Sequence, residues 1–418
     1  MLKEFQPGDI VKSCPYLEMG SCFSTDGIYC CVHGTQRSPK LISSEDIKSG
    51  KLNYEFIVEK RKELFYSIND ENDHSSDNCK FCSNLIEKKF EDVCFDYLGG
   101  QKLPAGFNIQ HYTECNQRCK YCLWTKNNFF VKPEYEILHY FDIFKEKGKI
   151  RGGNWVDFSG GEPAMLKNFD EILDYLIDIN FGQVVVYSNC VKFSQSIFNA
   201  LKQDKIILTT SVDTGVASIY KKLRGNDTFS KIISNLIKYR NSGTHGLWLK
   251  YVICEENRND DSLWSFLITM MALKPNNIMI CPDFPYDDKR VSDETVDFAA
   301  KLWVLVEKHL NMTPIDYTST FGAPEWVKYH EDLNKSIDEY RKKIEIEPLD
   351  NIFYLYNSVL EKNDLTTKLE NDLNKIKYNI NKLAWWIPIR KWRDNFRNKM
   401  LNTDQTRPDQ TRPDQTRP

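Results

Sequence analysis

The sequence has no apolar run long enough to cross a membrane, for which about eighteen consecutive apolar residues are needed. Its first residues, Met-Leu-Lys-Glu-Phe-Gln-Pro, lack the apolar stretch of a signal peptide. The chain also has little excess of either sign of charge, because its formal net charge is only −3 over 418 residues. This small excess argues against general binding of nucleic acid. Together these absences predict a cytoplasmic protein.

Cysteine, by contrast, is abundant, with 13 residues in the chain. The cytoplasm is reducing and disfavours disulfides, so metal binding is the better explanation for this number. Most of these cysteines lie before residue 123, and only Cys190, Cys254 and Cys281 come later. We expect these three to be buried as small apolar side chains, which is the usual state of a lone cysteine.

Cys115, Cys119 and Cys122 form a C-x3-C-x2-C motif, called the cysteine triplet below. Three thiolates can bind three irons of a four-iron cluster, which normally takes four cysteine ligands. The missing ligand would leave one iron free to bind a small molecule, and an open position is what distinguishes a chemical site from a structural one. Structural zinc is the alternative, but such sites are built from paired cysteines.

Between residues 104 and 283, segments typical of strands alternate with segments typical of helices. This alternation predicts parallel βαβ units, with the working residues at the carboxyl ends of the strands. The hydrophobic pattern predicts helices at 134–147, 169–179 and 229–239. It predicts six strands, at 106–110, 154–158, 183–187, 206–212, 247–253 and 277–280.

Gly160 and Gly161 follow the second predicted strand. Two glycines in this place let the backbone bend and approach a ligand closely, so that exposed backbone groups can hydrogen-bond an ammonium. A Gly-Gly pair is usually only a turn, but this pair lies at a strand end about forty residues after the cysteine triplet.

Residues 104–285 resemble the radical S-adenosylmethionine (SAM) superfamily. Tyr121 stands before the last cysteine of the triplet, and Gly160-Gly161-Glu162-Pro163 matches the motif that binds the methionine ammonium in that family. The third and fourth strands end in Tyr187-Ser188-Asn189 and Ser211-x-Asp213, and Leu223-Arg224-Gly225 follows. The residues to which the resemblance gives a role in binding SAM are Tyr121, Gly160, Gly161, Glu162, Pro163, Ser188, Ser211 and Arg224.

The resemblance implies an α/β fold, a partial (β/α)6 barrel, that holds a [4Fe-4S] cluster on the cysteine triplet. It implies reductive cleavage of SAM to a 5′-deoxyadenosyl radical, which abstracts hydrogen from a substrate. A flavodoxin or ferredoxin-type protein would supply the electron. No residue can be named from the sequence as an acid or base toward the substrate.

A second group of cysteines precedes this region: Cys14, Cys31, Cys79 and Cys82, called the amino-terminal cysteine set below. With the Asp26-Gly27 turn signal and the C-x2-C pair, they resemble the SPASM domain, which carries an auxiliary iron–sulfur cluster. The resemblance implies a second cluster on these four thiolates, although SPASM domains usually follow the core. Cys30 is an alternative to Cys31, and structural zinc is the alternative metal.

Residues 290–400 are predicted to be mostly helical, with an apolar stripe from Leu369 to Leu383. The run from Ala384 to Met400 combines Trp and Phe with five positive charges against Asp394. It fits an anionic membrane surface, which would place the protein at the inner face of the membrane, or a helix docked on its own domain. It also resembles a segment of bacterial enzymes of surface-polysaccharide assembly. The repeated Asp-Gln-Thr-Arg-Pro tail, 404–418, is predicted to be disordered.

Four regions are therefore expected: a Cys-rich SPASM-like domain at 1–100, a radical SAM core at 101–289, a helical extension at 290–401 and a tail at 402–418. The expected function is a radical SAM oxidoreductase acting on a small molecule, a sugar or glycan intermediate of surface-polysaccharide biosynthesis. Two alternatives are modification of a peptide or protein, and a non-catalytic iron–sulfur electron carrier or sensor.

Overall fold

The structure is a computed structural model. It describes residues 4–31, 39–80, 82, 84–94, 106–148, 150, 153–283, 291–319 and 324–344. The apolar stripe, the basic run and the repeat tail, all beyond residue 344, lie outside the described residues, so the predictions for them stay predictions.

The described strands form one ten-stranded sheet and one two-stranded sheet. The order in the large sheet is β12-β11-β10-β9-β8-β7-β6-β2-β3-β4, and β1 pairs with β5. The strands are β1 Ile10–Ser13, β2 Gly20–Ser24, β3 Gly27–Tyr29, β4 Lys40–Ser43, β5 Ile86–Lys89, β6 Gly106–Ile109, β7 Trp155–Phe158, β8 Gln183–Tyr187, β9 Ile206–Ser211, β10 Leu247–Ile253, β11 Asn277–Pro282 and β12 Ile315–Asp316.

Strands β6 to β12 are parallel and follow one another along the chain. Helices lie between them, which is the βαβ arrangement expected from the sequence. The α/β fold class is confirmed, with a parallel sheet of the partial-barrel type and helices after it. All six predicted strands are present within two residues of their expected ends.

The helices connect these strands and cover the sheet. They are α1 Pro15–Met19, α2 Ser44–Lys48, α3 Tyr54–Ile68, α4 Asp77–Lys80, α5 Leu123–Lys126, α6 Leu138–Glu146, α7 Phe169–Asp178, α8 Gln195–Lys202, α9 Ala217–Arg224, α10 Phe229–Arg240, α11 Asp260–Leu273, α12 Asp293–Leu310 and α13 Pro324–Lys343. In the described part of the chain, no helix has the length and apolar character needed to cross a bilayer.

The predicted helix at 134–147 begins late, at Leu138. The reason is the side chain of Tyr135, whose hydroxyl donates to the carbonyl oxygens of Ser24 and Gly27 at 2.7 and 3.0 Å. These contacts with the β2–β3 turn bury Tyr135 and hold residues 134–137 in a non-helical connection. Tertiary contacts thus override the helical pattern at this point.

Alternate side chains on the parallel strands point to the helices, and these form the main core. Phe107 on β6 packs against Phe141 and Phe144 of α6, with ring centroids 5.5 and 6.2 Å apart. Tyr251 on β10 meets Phe266 of α11 at 4.8 Å. The intervening residues therefore face the inside of the barrel, since successive side chains of a strand point to opposite faces.

The sheet that surrounds the barrel interior is strongly curved. Tyr187 ends β8 and Tyr317 follows β12, and four strand spacings in a flat sheet would separate these strands by about 19 Å. Their ring centroids are nevertheless only 6.5 Å apart. The sheet must therefore bend strongly between β8 and β12, which brings residues from non-adjacent strands together.

The amino-terminal region shares the large sheet with the predicted core. Strand β2 pairs in parallel with β6, with Gly20 opposite Gly106, and β3 and β4 continue the sheet as antiparallel strands. The Asp26-Gly27 turn signal is confirmed, because this turn joins β2 to β3. Strand pairing thus crosses the predicted boundary at residue 100, and the domain limits themselves stay predictions.

Candidate metal centre and cofactor site

The cysteine triplet lies in the loop between β6 and α5, at the carboxyl end of the parallel sheet. All three cysteines are partly buried residues and none forms a disulfide. The backbone N–H of Cys122 donates to the carbonyl oxygen of Cys119 at 3.0 Å, and Cys122 directly precedes α5. The loop therefore gathers three free cysteines at the edge where the strands end.

The last residues of α9 fix the shape of this loop. The N–H of Arg118 donates to the carbonyl oxygen of Arg224 at 3.0 Å, and the N–H of Lys120 donates to that of Leu223 at 2.8 Å. A helix end leaves its last carbonyl groups without partners inside the helix, and the loop supplies donors for two of them. The position of the triplet is therefore coupled to that of α9.

Two nitrogen donors point at sulfurs of the triplet. Asn189 Nδ2 lies 3.5 Å from Cys115 Sγ, and Arg224 Nη1 lies 3.4 Å from Cys119 Sγ. Burial raises the pKa of the Cys115 thiol to about 12 and also raises the pKa of Cys119, although Arg224 opposes the increase at Cys119. N–H donors favour a thiolate, so they suit cysteines that bind a metal.

The Gly160-Gly161 loop is packed directly against the chain that leads into the triplet. The N–H of Gly161 donates to the carbonyl oxygen of Tyr112 at 3.0 Å, and the N–H of Glu162 donates to that of Glu114 at 2.8 Å. A Cβ atom on Gly161 would collide with the carbonyl oxygen of Glu114. The absence of side chains is thus required for the close approach of the two loops.

The buried carboxylate of Glu162 links this loop to the end of β8. It accepts hydrogen bonds from Ser188 Oγ at 2.8 Å, from the N–H of Asn189 at 2.7 Å and from the N–H of Ala164 at 3.2 Å. Burial raises the pKa of Glu162, and these hydrogen bonds oppose the increase. Glu162 therefore holds two neighbouring strand ends in a fixed relation.

Asp213 and Arg224 form a second buried link, with Arg224 Nη2 and Asp213 Oδ2 2.6 Å apart. Tyr121 Oη donates to the same carboxylate at 2.8 Å, and the N–H of Val252 donates to it at 2.9 Å. Asp213 has a φ of 61°, a left-handed conformation that Asp adopts more readily than most residues. One carboxylate thus joins the triplet loop, α9 and β10.

The segment that contains these strand-end loops matches a known protein family. Residues 109–263 match the family model described as the radical SAM superfamily. The match covers less than half of the chain and assigns this segment to the radical SAM superfamily. Radical SAM proteins use a [4Fe-4S] cluster and SAM, so the cofactor expectation is confirmed for these two groups.

Three known proteins are similar to parts of this chain. A GTP 3′,8-cyclase of Clostridium botulinum (strain Okra / Type B1) is 24% identical over 213 residues, which cover 48% of this chain and 63% of the relative. The chain thus matches less than two thirds of that relative's length. The structure of Streptococcus suis SuiB bound to precursor peptide SuiA is similar with a TM-score of 0.44 and 14% identity, and the match covers 55% of this chain and 51% of SuiB. The structure of native anSMEcpe with bound AdoMet is similar with a TM-score of 0.43 and 16% identity, and the match covers 51% of this chain and 64% of anSMEcpe.

The residues at this site fit a radical SAM cluster. Among the described residues, no three His, Cys, Asp or Glu side chains are arranged to hold a metal ion. A four-iron cluster takes one thiolate per iron, so its ligands need not converge on one point. The fit rests on three thiols in one loop, two nitrogen donors aimed at sulfur, and the buried Nε of Arg224, which has no hydrogen-bond partner among the described residues.

The structure brings the predicted SAM-binding residues to one edge of the sheet, but several are already engaged with the protein. The hydroxyl of Ser188 donates its hydrogen bond to Glu162. Arg224 holds Asp213 and Cys119, and Tyr121 donates to Asp213. Ser211 ends β9, and its carbonyl oxygen accepts a hydrogen bond from Arg224. Their contacts with SAM stay predictions.

Two residues that make contacts at this site were part of the sequence motifs but received no role there: Asp213 and Asn189. A polar residue directly after a buried strand is the signal that could have found both, because each follows the end of a parallel strand. A third, Lys250 on the inside of the barrel, gave no such signal. Cys190, Cys254 and Cys281 are buried, as expected for lone cysteines.

The amino-terminal cysteine set lies around α1 and α4. Cys14 caps α1 by accepting from the N–H of Leu17 at 3.3 Å, and the N–H of Cys82 donates to the carbonyl oxygen of Cys79 at 3.0 Å. Burial raises the pKa of the Cys79 thiol to about 11, and nearby Cys14 and Cys82 add to the increase. Cys31 is partly exposed. Burial raises the pKa of Tyr16, and nearby Cys31, Cys14 and Cys82 add to the increase.

Proposed function

We propose that this protein is an oxidoreductase-type enzyme that uses SAM, bound at a [4Fe-4S] cluster on the cysteine triplet, to remove a hydrogen atom from a small-molecule substrate. The observation that supports this most directly is the convergence of two strand-end segments and the end of helix α9 on the triplet loop. Asn189 and Arg224 donate to its sulfurs, while the Gly160-Gly161 loop packs against its backbone. An electron carrier would need no such provision for a second ligand beside the cluster.

In this proposal the chain's own residues position and shield the two groups. Cys115, Cys119 and Cys122 hold three irons. Carbonyl groups of the Gly160–Pro163 loop receive the ammonium of SAM, and Ser188, Ser211 and Arg224 lie at the strand ends that would face its ribose and carboxylate. The bound cluster and SAM would supply the chemistry of hydrogen abstraction, and the barrel would exclude water from the reaction site.

Anaerobic incubation of the iron-reconstituted protein with SAM and dithionite tests this proposal. We expect 5′-deoxyadenosine, detected by mass spectrometry, from the natural sequence and none from Cys122→Ser, which removes one iron ligand. Absence of 5′-deoxyadenosine from a protein that carries about four irons per chain would contradict the enzyme assignment and favour the electron carrier or sensor.

A second metal centre on the amino-terminal cysteine set is part of the proposal, as in SPASM-type domains. Its support is that Cys14 and Cys82 lie close enough to Cys79 to add to the increase that burial causes in the pKa of the Cys79 thiol. Cys30 is also near Cys14, Cys31 and Cys79 but is almost fully buried, which favours Cys31 as the ligand. About eight irons per chain are expected, whereas about four irons and one zinc would identify a structural zinc site instead.

The substrate proposed is a sugar or glycan intermediate of surface-polysaccharide biosynthesis. Its support is the resemblance of the run from Ala384 to Met400 to segments of enzymes in such pathways. Incubation with nucleotide-activated sugars should raise the yield of 5′-deoxyadenosine and give a sugar product whose mass differs from that of the starting sugar. GTP is a comparison substrate because the curated relatives are named for it, and a peptide library covers the peptide alternative.

The electron donor proposed is a flavodoxin or ferredoxin-type protein. Replacement of dithionite by reduced flavodoxin should sustain formation of 5′-deoxyadenosine. Failure with every such protein, while dithionite still works, would contradict this part of the proposal without affecting the rest.

A further inference from the structure

Lys250 carries a positive charge on the inner wall of the barrel. It is the fourth residue of β10, and its strand neighbours are Ser211 on β9 and Met279 on β11. Its neighbours in sequence, Leu249 and Tyr251, are fully buried on the helix-facing side. Because successive side chains of a strand point to opposite faces, the side chain of Lys250 lies on the opposite, inner side, and the residue is partly buried.

Two aromatic rings hold the Lys250 side chain. Its Nζ lies 4.2 Å from the ring centroid of Tyr317 and 5.8 Å from that of Tyr187, and the two rings meet edge to face at 83°. An ammonium is attracted to the face of an aromatic ring within about 6 Å. The position of the charge is therefore set before any ligand arrives.

Among the described residues, no acidic side chain forms an ion pair or hydrogen bond with Lys250. The carboxylate that acts most on its charge is Asp213, which already binds Arg224 and Tyr121. Burial lowers the pKa of Lys250, as expected for a charge that lacks a partner of opposite sign. An anion that entered the barrel would remove this penalty.

Lys250 also lies near the cysteine triplet. The carbonyl oxygen of its strand neighbour Ser211 accepts a hydrogen bond from Arg224, and Arg224 also donates to Cys119 Sγ. A molecule held by Lys250 would therefore lie beside the proposed cofactor site, where hydrogen abstraction takes place.

We propose that Lys250 binds an anionic group of the substrate, a carboxylate or a phosphate, and that Tyr187 and Tyr317 hold the lysine in place. This inference rests on the proposed function, because it assigns the barrel interior to the substrate. It names the class of substrate as one with an anionic group within reach of the barrel wall. The carboxylate of SAM has the same chemistry, so the experiment separates the two sources.

The test uses the full chain with its iron restored and compares three variants. Lys250→Met removes the charge and keeps most of the side-chain length, whereas Lys250→Arg keeps the charge. Lys238→Met is the matched control, because Lys238 Nζ also lies over an aromatic ring, 5.4 Å from Phe193, but on helix α10 outside the barrel. Calorimetry measures the binding of inorganic pyrophosphate, malonate and SAM to each protein.

We expect at least one of the two anions to bind the natural sequence and to bind Lys250→Met at least tenfold more weakly. Its affinity should stay within threefold in Lys250→Arg and Lys238→Met, and SAM affinity should be unchanged in all three. Equal anion binding by Lys250→Met and the natural sequence, or no anion binding at all, would overturn the proposal. A loss of SAM affinity in Lys250→Met would assign the lysine to SAM and also overturn it.

Formation of 5′-deoxyadenosine without substrate separates this inference from the proposed function. It should be seen with the natural sequence and should persist in the control variant Lys238→Met, whatever the anion titration of Lys250→Met shows. If neither this control variant nor the natural sequence forms 5′-deoxyadenosine, the proposed function fails, and the anion titration still reports independently on Lys250.

Discussion

The cysteine triplet and the amino-terminal cysteine set reach their positions by different routes. The triplet occupies one loop of eight residues, fixed by backbone hydrogen bonds to the end of α9 and by donors to two of its sulfurs. The amino-terminal set comes from four places, at the start of α1, after β3, within α4 and beyond it. A local motif fixes the first site, whereas the second depends on the assembled fold.

The two sites also differ in what holds their surroundings. Asp213 joins the triplet loop, α9 and β10 through its buried contacts with Tyr121, Arg224 and Val252. Around the amino-terminal set, buried Glu18 joins α1 to β5 and to residue 94, since it binds Lys88 at 2.9 Å and the N–H of Cys94 at 3.0 Å. Each site thus has one central carboxylate, and the comparison can be tested at both.

The largest difference is expected between Cys119→Ala and Cys79→Ala. The first removes a ligand of the proposed SAM-binding cluster and should abolish formation of 5′-deoxyadenosine. The second should lower the iron content by about four per chain and leave 5′-deoxyadenosine formation without substrate largely intact. Mass spectrometry and iron analysis of both variants check this. Loss of product formation in both would show that the two sites are not independent.

Next in size is Asp213→Asn, which leaves Arg224 buried without its partner. Loss of one member of a buried ion pair lowers the free energy of unfolding by about 3–5 kcal/mol. Urea unfolding, followed by tryptophan fluorescence, measures the change. Asp227→Asn is the control, because Asp227 pairs with Lys221 at 3.5 Å on the exposed surface, where the loss is about 0–1 kcal/mol. Equal losses would mean that the buried pair is not what holds the triplet loop.

Glu18→Gln is expected to have a smaller effect, confined to the amino-terminal set. A hydrogen bond to a charged group contributes about 1.5–3 kcal/mol, and the variant weakens the contact with Lys88. The iron bound by the amino-terminal set should fall while formation of 5′-deoxyadenosine persists. Glu63→Gln, at an exposed pair with Lys60, is the control and should change neither. Iron loss from the triplet instead would contradict the division between the sites.

The smallest expected effect is that of Gly161→Ala. Its Cβ would collide with the carbonyl oxygen of Glu114, so the two loops must move apart. We expect SAM to bind about tenfold more weakly, equivalent to about 1.4 kcal/mol. Gly153→Ala is the control, since a Cβ there meets no atom within 4 Å. Unchanged SAM affinity in Gly161→Ala would show that the close approach of the loops does not matter for binding.

The sequence allowed prediction of those features that depend on local patterns. The six parallel strands follow from short apolar runs between helical segments, and the triplet from the spacing of three cysteines. Features that depend on distant parts of the chain could not be predicted. Three examples are the pairing of β2 with β6, the hydrogen bonds of Tyr135 to Ser24 and Gly27, and the contact of Lys250 with Tyr317. Each of them requires the curved sheet to be formed first.

The pairing of β2 with β6 has a consequence for attempts to isolate the barrel. A shortened protein that starts at residue 101 would lose β2, β3 and β4, and the backbone N–H and C=O groups of β6 would lose their partners on that side. Unpaired strand edges recruit strands of other molecules, so such a fragment should aggregate. During synthesis, β2 likewise leaves the ribosome about eighty residues before β6, which places a slow, long-range step in folding.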